Sequence, residues 1–286
     1  MTESSIAILG PGLLGGSILH DAKRLGCPDV RAYARRAEVV AEIESLQLAH
    51  VVGNDLARVV DGVDFIVLAS PVGAYPALAE ALVALPLKKT AIVTDVGSVK
   101  GMVMETAGTI FRAAGVSFVG SHPMAGSEAK GLKAAKPNLF QQAACILTPD
   151  AETPAEAVLR VRAFWESLGS RVFEMNAQQH DRVVARISHM PHLAAAAVIL
   201  AALESSPEIA KFAAGGLRDT TRVASGDPEM WREILMENRQ AVLQSGRELH
   251  QKLGEMLEFL EKMEDEQLRD TLKAAKSLRD SRYAAE

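Results

Sequence analysis

The sequence predicts an α/β protein in two parts, an N-terminal doubly wound sheet followed by an all-helical C-terminal region. Up to about Asn176, short apolar runs of strand length alternate with amphipathic helical stretches. This alternation is typical of parallel strands joined by right-handed crossovers. After Asn176 no strand pattern follows, and the chain becomes rich in Ala, Leu, Glu and Arg with helical periodicity. We therefore expect one domain at residues 1–176 and a second, all-helical domain at residues 177–286.

The individual elements follow from this alternation. The predicted strands are short apolar runs at residues 6–9, 30–33, 65–69, 91–95, 117–119, 144–147 and 172–174. The predicted helices between them are amphipathic and lie at residues 13–25, 37–46, 75–85, 100–114 and 155–168. In the C-terminal region, Asp227 followed by Pro228 is a typical helix start, and the helix it opens is expected to reach about residue 263.

A helix of that length outgrows one small core, so we expect it to serve a subunit interface. Its apolar positions Leu249, Leu253, Met256 and Leu260 equally fit an ordinary intramolecular core. The highly charged residues 261–286 are expected to form one more surface helix or a frayed tail.

The first predicted strand runs directly into G-P-G-L-L-G at residues 10–15. In a dinucleotide-binding unit, Gly10 would allow the tight turn and Gly12 would let the backbone approach a pyrophosphate. Gly15 would let the helix pack closely on the strand, with the helix N-terminus facing the anion. An ordinary Gly-rich turn is the alternative. The motif's position between a near-terminal strand and a helix favours a Rossmann-type nucleotide domain.

The end of the second strand bears on the choice of dinucleotide. An acidic residue that bonds the ribose 2′-hydroxyl is usual there, but the sequence has Ala34, Arg35 and Arg36. Paired guanidiniums can bind a 2′-phosphate, which favours NADP over NAD. Two solvated arginines at a helix start are the alternative. The remaining cofactor contacts are expected from residues beside the sheet's carboxyl edge: Leu13, Leu14, Ser70, Pro71 and Asp95.

Composition excludes several classes of protein. With 286 residues, 48% hydrophobic and 23% charged, the chain resembles an ordinary soluble globular protein, and a net charge of −5 argues against nucleic-acid binding. Cys27 and Cys145 form neither a metal-ligand spacing nor a disulfide framework. No signal peptide is apparent, and the longest apolar run, 193–203, is shorter than a membrane span. We therefore expect a cytoplasmic protein that contacts no membrane.

Four of the seven histidines fall between His122 and His192. Three motifs cover this part of the chain and the segment after it: G-S-H-P-M-A-G-S-E at 120–128, H-D-R-V-V-A-R-I-S-H-M-P-H at 180–192 and G-G-L-R-D-T-T-R at 215–222. His122 follows a predicted strand that ends at Val119, so it should lie in a loop at the carboxyl edge of the sheet, where open α/β folds bind ligands. A histidine beside a nicotinamide is suited to accept a proton near neutral pH.

Plainer roles exist for several of these residues. His189 and His192 are three residues apart, but Pro191 interrupts that turn and no HExxH is present, so we expect no metal. His180 could be a structural residue paired with Asp181. Ser98, in the loop D-V-G-S-V-K at 95–100, could simply cap the following helix.

The motifs G-S-H-P-M-A-G-S-E, S-H-M-P-H and T-R-V-A-S-G-D-P-E-M-W resemble those of the prephenate/arogenate dehydrogenases of tyrosine biosynthesis. The resemblance extends from Ile6 to roughly Leu260. It implies a nucleotide domain joined to a helical domain that forms a homodimer. It also implies oxidative decarboxylation of prephenate to 4-hydroxyphenylpyruvate, with hydride transfer to NAD(P) and arogenate as the alternative substrate. No chorismate mutase segment is apparent before Ile6, so any tyrosine inhibition is expected at the active site.

The resemblance also implies roles for particular residues. His122 would take or polarise the proton of the ring hydroxyl, and Ser98 would hold that hydroxyl or support the histidine. The remaining substrate-binding residues would be His192 at the substrate side chain, Arg222 as the carboxylate anchor, Glu128 near the site entrance and Trp231 beside the pocket. Because the substrate carries two carboxylates, at least one buried arginine is expected. The pair Arg35 and Arg36 departs from the acidic residue of NAD-specific members.

Two other functions fit parts of the sequence. A β-hydroxyacid dehydrogenase or imine reductase also joins a Rossmann domain to a helical one, but it would need a catalytic group such as Lys211 or Lys252, and neither lies in a matching motif. A non-catalytic NADP-binding sensor would bind the cofactor without turnover. It would leave the set of His122, His192 and Arg222 without a role.

Overall fold

The computed structural model describes residues 4–283, and within them the chain forms eight strands in one sheet. The strands are β1 (Ser5–Leu9), β2 (Asp29–Tyr33), β3 (Val51–Gly53), β4 (Phe65–Leu68), β5 (Ile92–Asp95), β6 (Ser117–Pro123), β7 (Ala144–Thr148) and β8 (Arg171–Glu174). Their order is β3-β2-β1-β4-β5-β6-β7-β8. The first six strands therefore have the order of a doubly wound dinucleotide-binding sheet, which confirms the predicted fold class.

The helices alternate with the strands and then continue alone. They are α1 (Leu13–Arg24), α2 (Ala37–Ser45), α3 (Leu56–Val60), α4 (Tyr75–Val83), α5 (Gly101–Val103), α6 (Thr109–Ala113), α7 (Ala155–Ser167), α8 (Ala177–Val184), α9 (Met190–Leu203), α10 (Gly215–Thr221), α11 (Pro228–Glu237), α12 (Arg239–Glu261) and α13 (Asp265–Tyr283). From Ala177 onward the described residues contain no strand.

Strand pairing is parallel throughout the first six strands, with Ile6 of β1 opposite Val30 of β2 and Phe65 of β4. β7 departs from the expected parallel arrangement, because it pairs antiparallel with β6 and places His122 opposite Ile146. A parallel return would need a crossover, usually a helix. The segment between these strands contains only the 3₁₀ turn Leu132–Ala134, so the chain comes back in the opposite direction.

Alternation along β1 divides the core between the two faces of the sheet. Ile6 and Ile8 point to a layer that includes α1, α2 and α7, where Trp165 is fully buried. Ala7 and Leu9 point to the other layer, built from α3, α4, α5 and α6. Ile234 of α11 is buried in this second layer. The helical region therefore packs directly against the nucleotide-binding sheet.

Three local predictions need correction. The short strand β3 and helix α3 were not predicted, because three and five residues are too few to show a hydrophobic period. The strand holding His122 extends to Pro123 instead of ending at Val119, because pairing with β7 continues it. The expected single helix from 228 to 263 is interrupted at Asn238, whose φ of −103° and ψ of 25° are not helical. Asp227 does cap its start, accepting from the Met230 N–H at 3.0 Å.

Two helices contain π turns, Met104–Gly108 between α5 and α6 and Ala185–His189 between α8 and α9. The second makes Ala177–Leu203 one continuous helical stretch that is long and apolar enough to cross a membrane by length and composition. This differs from the expectation that no segment approaches such a length. One such helix is weak evidence for a span, because a core helix of a soluble protein passes the same test.

The chain forms two compact units, residues 1–239 and 240–286. The first contains the sheet, its covering helices and the helical segments up to α11. The second consists of nearly all of α12 and of α13, joined by a turn in which the Glu264 N–H donates to the Phe259 carbonyl at 2.8 Å.

The turn after β1 generates a first testable prediction. Gly10 has a φ of +89°, and a Cβ built there lies 2.8 Å from the backbone nitrogen of Ser70. Gly10→Ala should therefore lower the free energy of unfolding by about 1–3 kcal/mol, since strain and a backbone clash act together. A Cβ on Gly12 meets nothing within 4 Å, so Gly12→Ala is the matched control and should change stability by less than about 0.5 kcal/mol. Urea unfolding of the two variants and the wild type measures the difference, and equal losses would contradict the assignment.

Candidate active site

The glycine motif forms a tight turn at the carboxyl end of β1. The Gly10 N–H donates to the Tyr33 carbonyl at 3.0 Å, which joins this turn to the end of β2. A Cβ on Gly15 would lie 2.9 Å from the Cβ of Ala69, so α1 approaches β4 as closely as the motif requires. The backbone geometry is therefore that of a pyrophosphate-binding turn.

A cavity of about 440 Å³ opens beside this turn, at the carboxyl ends of β1, β2 and β4. Its lining includes most of the predicted cofactor contacts, namely Gly10, Gly12, Arg35, Arg36, Ser70 and Pro71. Leu13, Leu14 and Gly15 do not line it, because they follow the turn within α1. The lining contains no Asp or Glu side chain. The cavity and its glycine turn fit a dinucleotide.

The two arginines at the end of β2 are exposed, as a phosphate-binding pair would be before its ligand arrives. Arg36 lies 3.6 Å from the Glu38 carboxylate in an exposed pair, which contributes little. Arg35 has no ion-pair partner among the residues that the structure describes. Both guanidiniums are therefore available to a ligand.

Asp95 does not line this cavity and is fully buried instead. Its Oδ2 accepts from Lys100 Nζ and from the Gly97 N–H, both at 2.8 Å, and its Oδ1 accepts from the Ser121 N–H at 2.9 Å. A buried carboxylate needs such partners, and Lys100 is equally buried. Asp95 thus fixes the loop that carries Ser98 instead of reaching a cofactor.

Ser98 is half-buried and does not cap the following helix. The first N–H groups of that helix are bonded by a more distant residue, since Asp181 accepts from the N–H of Lys100 and of Gly101, each at 2.8 Å. Asp181 belongs to α8, the first helix after the sheet. The structural alternative for Ser98 is therefore wrong, and the cap comes from the helical region.

His122 is buried in β6 and contacts another histidine. Its Nδ1 lies 2.9 Å from His180 Nε2, and His180 Nδ1 lies 2.8 Å from Asp181 Oδ1. His122 Nε2 has no hydrogen-bond partner within residues 4–283. The expected pairing of His180 with Asp181 is present, but the same ring also reaches His122 across the junction of sheet and helices.

Burial sets the protonation of these histidines. It lowers the pKa of His122 well below its usual value, and the neighbouring His180 and Lys100 act in the same direction. It also lowers the pKa of His180, although Asp181 opposes that change. Burial alone would favour protonated Asp181, but the hydrogen bonds from His180 and from the N–H groups of Lys100 and Gly101 lower its pKa. At neutral pH the cluster therefore consists of two neutral rings and one carboxylate.

A second group of side chains continues from Asp181. Asn238 Nδ2 donates to the Asp181 carbonyl at 2.8 Å and to His189 Nδ1 at 3.1 Å. The His192 ring stacks on Trp231 with centroids 3.4 Å apart, and His189 meets the same indole edge-on at 6.1 Å. His192 Nδ1 donates to the Ser188 carbonyl at 3.0 Å, which leaves its Nε2 as an acceptor. Two predicted residues, His192 and Trp231, thus lie together.

Arg222 and Glu128 form an ion pair with each other. The Arg222 side chain is 63% exposed, whereas a buried arginine was expected. No hydrogen bond or ion pair joins this pair to the histidines in the part of the chain that the structure describes. The structure therefore brings the predicted substrate residues together as two pairs, and the anchor guanidinium remains accessible to water.

The sequence did not identify His189, Asn238 or Asp181 as parts of this network. The only signal for Asp181 was its position beside His180, and nothing marked Asn238 apart from the helix it interrupts. Within residues 4–283 no three His, Cys, Asp or Glu side chains converge in a way that could hold a metal ion.

The fold and the site together define a dinucleotide-dependent oxidoreductase with a helical second domain. Residues 22–174 match the family model described as prephenate dehydrogenase, nucleotide-binding domain. Residues 176–274 match the model described as prephenate dehydrogenase, dimerization domain. The chain belongs to the prephenate dehydrogenase family, a family of NAD-dependent oxidoreductases.

Individual relatives agree with this assignment. The chain is 39% identical over 244 residues to the cyclohexadienyl dehydrogenase of Zymomonas mobilis, covering 83% of this chain and 82% of the relative. It is 33% identical to the prephenate dehydrogenase of Bacillus subtilis, covering 97% and 76%. The crystal structure of prephenate dehydrogenase from Aquifex aeolicus, which contains hydroxyphenyl propionate and NAD+, has a TM-score of 0.91 at 32% identity, covering 98% of this chain and 99% of that chain.

The buried histidines predict a pH-dependent stability. Burial lowers the pKa of His189 to about 4. The unfolded chain binds a proton near pH 6.5, so this histidine stabilises the fold fully above that pH and progressively less as the pH falls to 4. The loss attributable to His189 is about 3 kcal/mol, from about 1.4 kcal/mol per pKa unit.

Urea unfolding between pH 7.5 and 4.5 measures this loss, and His189→Gln should flatten the dependence. The exposed His250 supplies the control variant, His250→Gln, which should retain the wild-type dependence. An unchanged slope in His189→Gln would contradict the interpretation.

Proposed function

We propose that this chain oxidises and decarboxylates prephenate to 4-hydroxyphenylpyruvate, with transfer of a hydride to NAD(P). The observation that carries the proposal is His122, a buried, neutral histidine at the carboxyl edge of the sheet with one ring nitrogen unbonded by the described residues. The same edge carries the glycine turn and the cavity that fits a dinucleotide. Family membership and the B. subtilis and A. aeolicus relatives support the choice of substrate.

The chemistry assigns one task to each residue. The bound dinucleotide supplies the hydride acceptor. His122 removes the proton of the ring hydroxyl, so that electrons from the oxygen assist departure of the hydride. Ser98 holds the same hydroxyl. Loss of the ring carboxylate as CO₂ then sends its electron pair through the ring to the oxygen, which recovers a proton as the ring becomes a phenol.

The remaining substrate contacts come from the helical segments. Arg222 anchors a substrate carboxylate, after exchanging its bond to Glu128 for one to the substrate. Glu128 stands at the entrance. His192 offers Nε2 to the substrate side chain, and Trp231 holds the imidazole by stacking.

Arogenate is the second candidate substrate, favoured by the 39% identity to a cyclohexadienyl dehydrogenase. A lysine-dependent β-hydroxyacid dehydrogenase has less support. Lys211 lies over the Phe212 ring at 4.9 Å in a 3₁₀ segment, and Lys252 pairs with Glu255 at 2.7 Å on α12. Neither lies near the histidines in sequence or shares a contact with them.

We assign NADP as the preferred cofactor over NAD. The support is the pair Arg35 and Arg36 on a cavity whose lining contains no carboxylate. A 2′-phosphate would meet two guanidiniums there and no like charge.

For the whole protein we propose domains at residues 1–176 and 177–286 and a cytoplasmic homodimer formed through the helical domain. The match of residues 176–274 to a dimerization domain supports this assembly. Of the apolar α12 positions, Leu249, Leu253 and Leu260 are exposed, which favours their role in an interface over one in an intramolecular core.

The function is tested by mixing the purified protein with prephenate or arogenate and with NAD+ or NADP+, and following reduced nicotinamide at 340 nm. Wild type should turn over prephenate. His122→Asn should reduce kcat by about 10²–10⁴-fold, since a general base is lost, with little change in cofactor binding. Arg222→Ala should mainly raise the KM for substrate, by about tenfold or more. Retention of most turnover in His122→Asn would rule out the proposed base, and turnover of arogenate alone would replace the substrate.

Cofactor choice is tested with the double variant Arg35→Ala, Arg36→Ala. The KM for NADP+ should rise by about 10- to 100-fold, because two charge-assisted bonds to the 2′-phosphate are lost. The KM for NAD+ should stay within about twofold, and it serves as the internal control. Arg269→Ala, an exposed arginine of α13, controls for loss of positive charge. Equal effects on both cofactors would overturn the assignment of NADP.

A further inference from the structure

Asp181, His180 and His122 form a chain of hydrogen bonds from the helical region into the sheet. Asp181 Oδ1 lies 2.8 Å from His180 Nδ1, and His180 Nε2 lies 2.9 Å from His122 Nδ1. Both rings are buried, with His180 fully inaccessible and His122 only 7% exposed. Bonds of this length between buried groups fix which atom carries each proton.

The protons can be assigned from the carboxylate outward. Asp181 accepts from the N–H of Lys100 at Oδ1 and from the N–H of Gly101 at Oδ2, so both oxygens act as acceptors. His180 Nδ1 must therefore be the donor in its bond to Asp181. Because His180 is neutral, its Nε2 carries a lone pair and accepts from His122 Nδ1–H. A neutral His122 with its proton on Nδ1 has its lone pair on Nε2, the unbonded nitrogen.

We propose that His180 and Asp181 are positioning residues that hold His122 in the one tautomer able to take a proton at Nε2. This inference rests on the proposed function, in which His122 is the base. Neither residue touches the substrate. When His122 accepts the hydroxyl proton, the new positive charge is shared through its Nδ1–H bond to His180, and the Asp181 carboxylate stabilises it through the intervening ring. The proton remains on His122 until the product oxygen recovers it.

The other charged groups around His122 do not supply this stabilisation. Lys100 is positive, and its charge is balanced by Asp95 and by the carbonyls of Gly97 and Val99. His189 is neutral near pH 7, because burial lowers its pKa to about 4. Asp181 is therefore the anion directly linked to the histidine pair.

The direct test needs no assay of activity. Protein labelled with ¹⁵N in histidine reports the tautomer of each ring by long-range ¹H–¹⁵N NMR at pH 7.5. His122 and His180 should both show a protonated Nδ1 and an unprotonated Nε2, with their signals assigned by loss in His122→Asn and His180→Gln. A His122 ring protonated at Nε2 would overturn the proposal, even if the enzyme oxidised prephenate normally.

The kinetic test uses Asp181→Asn and His180→Gln. Both should lower kcat by about 10- to 1,000-fold while changing the substrate KM and the dinucleotide Kd by less than about threefold. In Asp181→Asn the acidic limb of the kcat/KM profile should move to lower pH, because loss of the carboxylate removes what stabilises protonated His122. A purely structural role would lower the amount of folded enzyme without moving that limb.

Matched controls separate these effects from general damage. His250→Gln and Asp280→Asn change the same residue types at exposed positions of α12 and α13 and should retain wild-type kinetics and pH profile. An unmoved acidic limb in folded Asp181→Asn contradicts the relay. Absence of turnover with prephenate or arogenate in the wild type would contradict the proposed function, while the NMR result would still decide the hydrogen-bond chain.

Discussion

The hydrogen bonds that the Asp181 carboxylate accepts from the N–H groups of Lys100 and Gly101 join the loop after β5 to the first helix beyond the sheet. The site depends on this junction, because the same carboxylate orients His180 and the Asp181 carbonyl holds Asn238. A buried carboxylate is costly to desolvate unless it is fully bonded, and here the polar partners come from both regions of the chain. The energy needed to bury one charge thus fixes the relative positions of a strand histidine and a helical one.

Asp95 solves the same problem on the sheet side. It is inaccessible to water, it pairs with an equally buried Lys100, and it accepts from the Ser121 N–H beside His122. Ser121 is itself bonded by Thr94 and by the indole of Trp165. The segments that carry Ser98 and His122 are therefore held from beneath by a continuous polar network within an apolar core. Such support suits a site in which a proton must be accepted at a fixed point.

Much of the fold could be predicted because its signals are local. The alternation of Ile6 and Ile8 with Ala7 and Leu9, the glycine turn and the Asp227 cap are all written in neighbouring residues. The end of β6 could not be located, because its continuation to Pro123 depends on pairing with β7, twenty residues away along the chain. The break at Asn238 was equally hidden, since that residue leaves helical geometry where its side chain bonds Asp181 and His189. Sequence patterns thus identified which residues matter better than which residues touch.

The π turn at Ala185–His189 has a consequence for how this chain can vary in length. A π turn accommodates one residue more than an α turn, and it lies between the helix that holds His180 and the one that holds His192. Deleting a single residue there would restore ordinary helix and rotate everything beyond it by about 100° about the axis. His189 would swing away from Asn238, and His192 from the indole that supports it. Insertions and deletions, harmless in most surface loops, are thus excluded from this helical stretch by the angular phase of its two histidines.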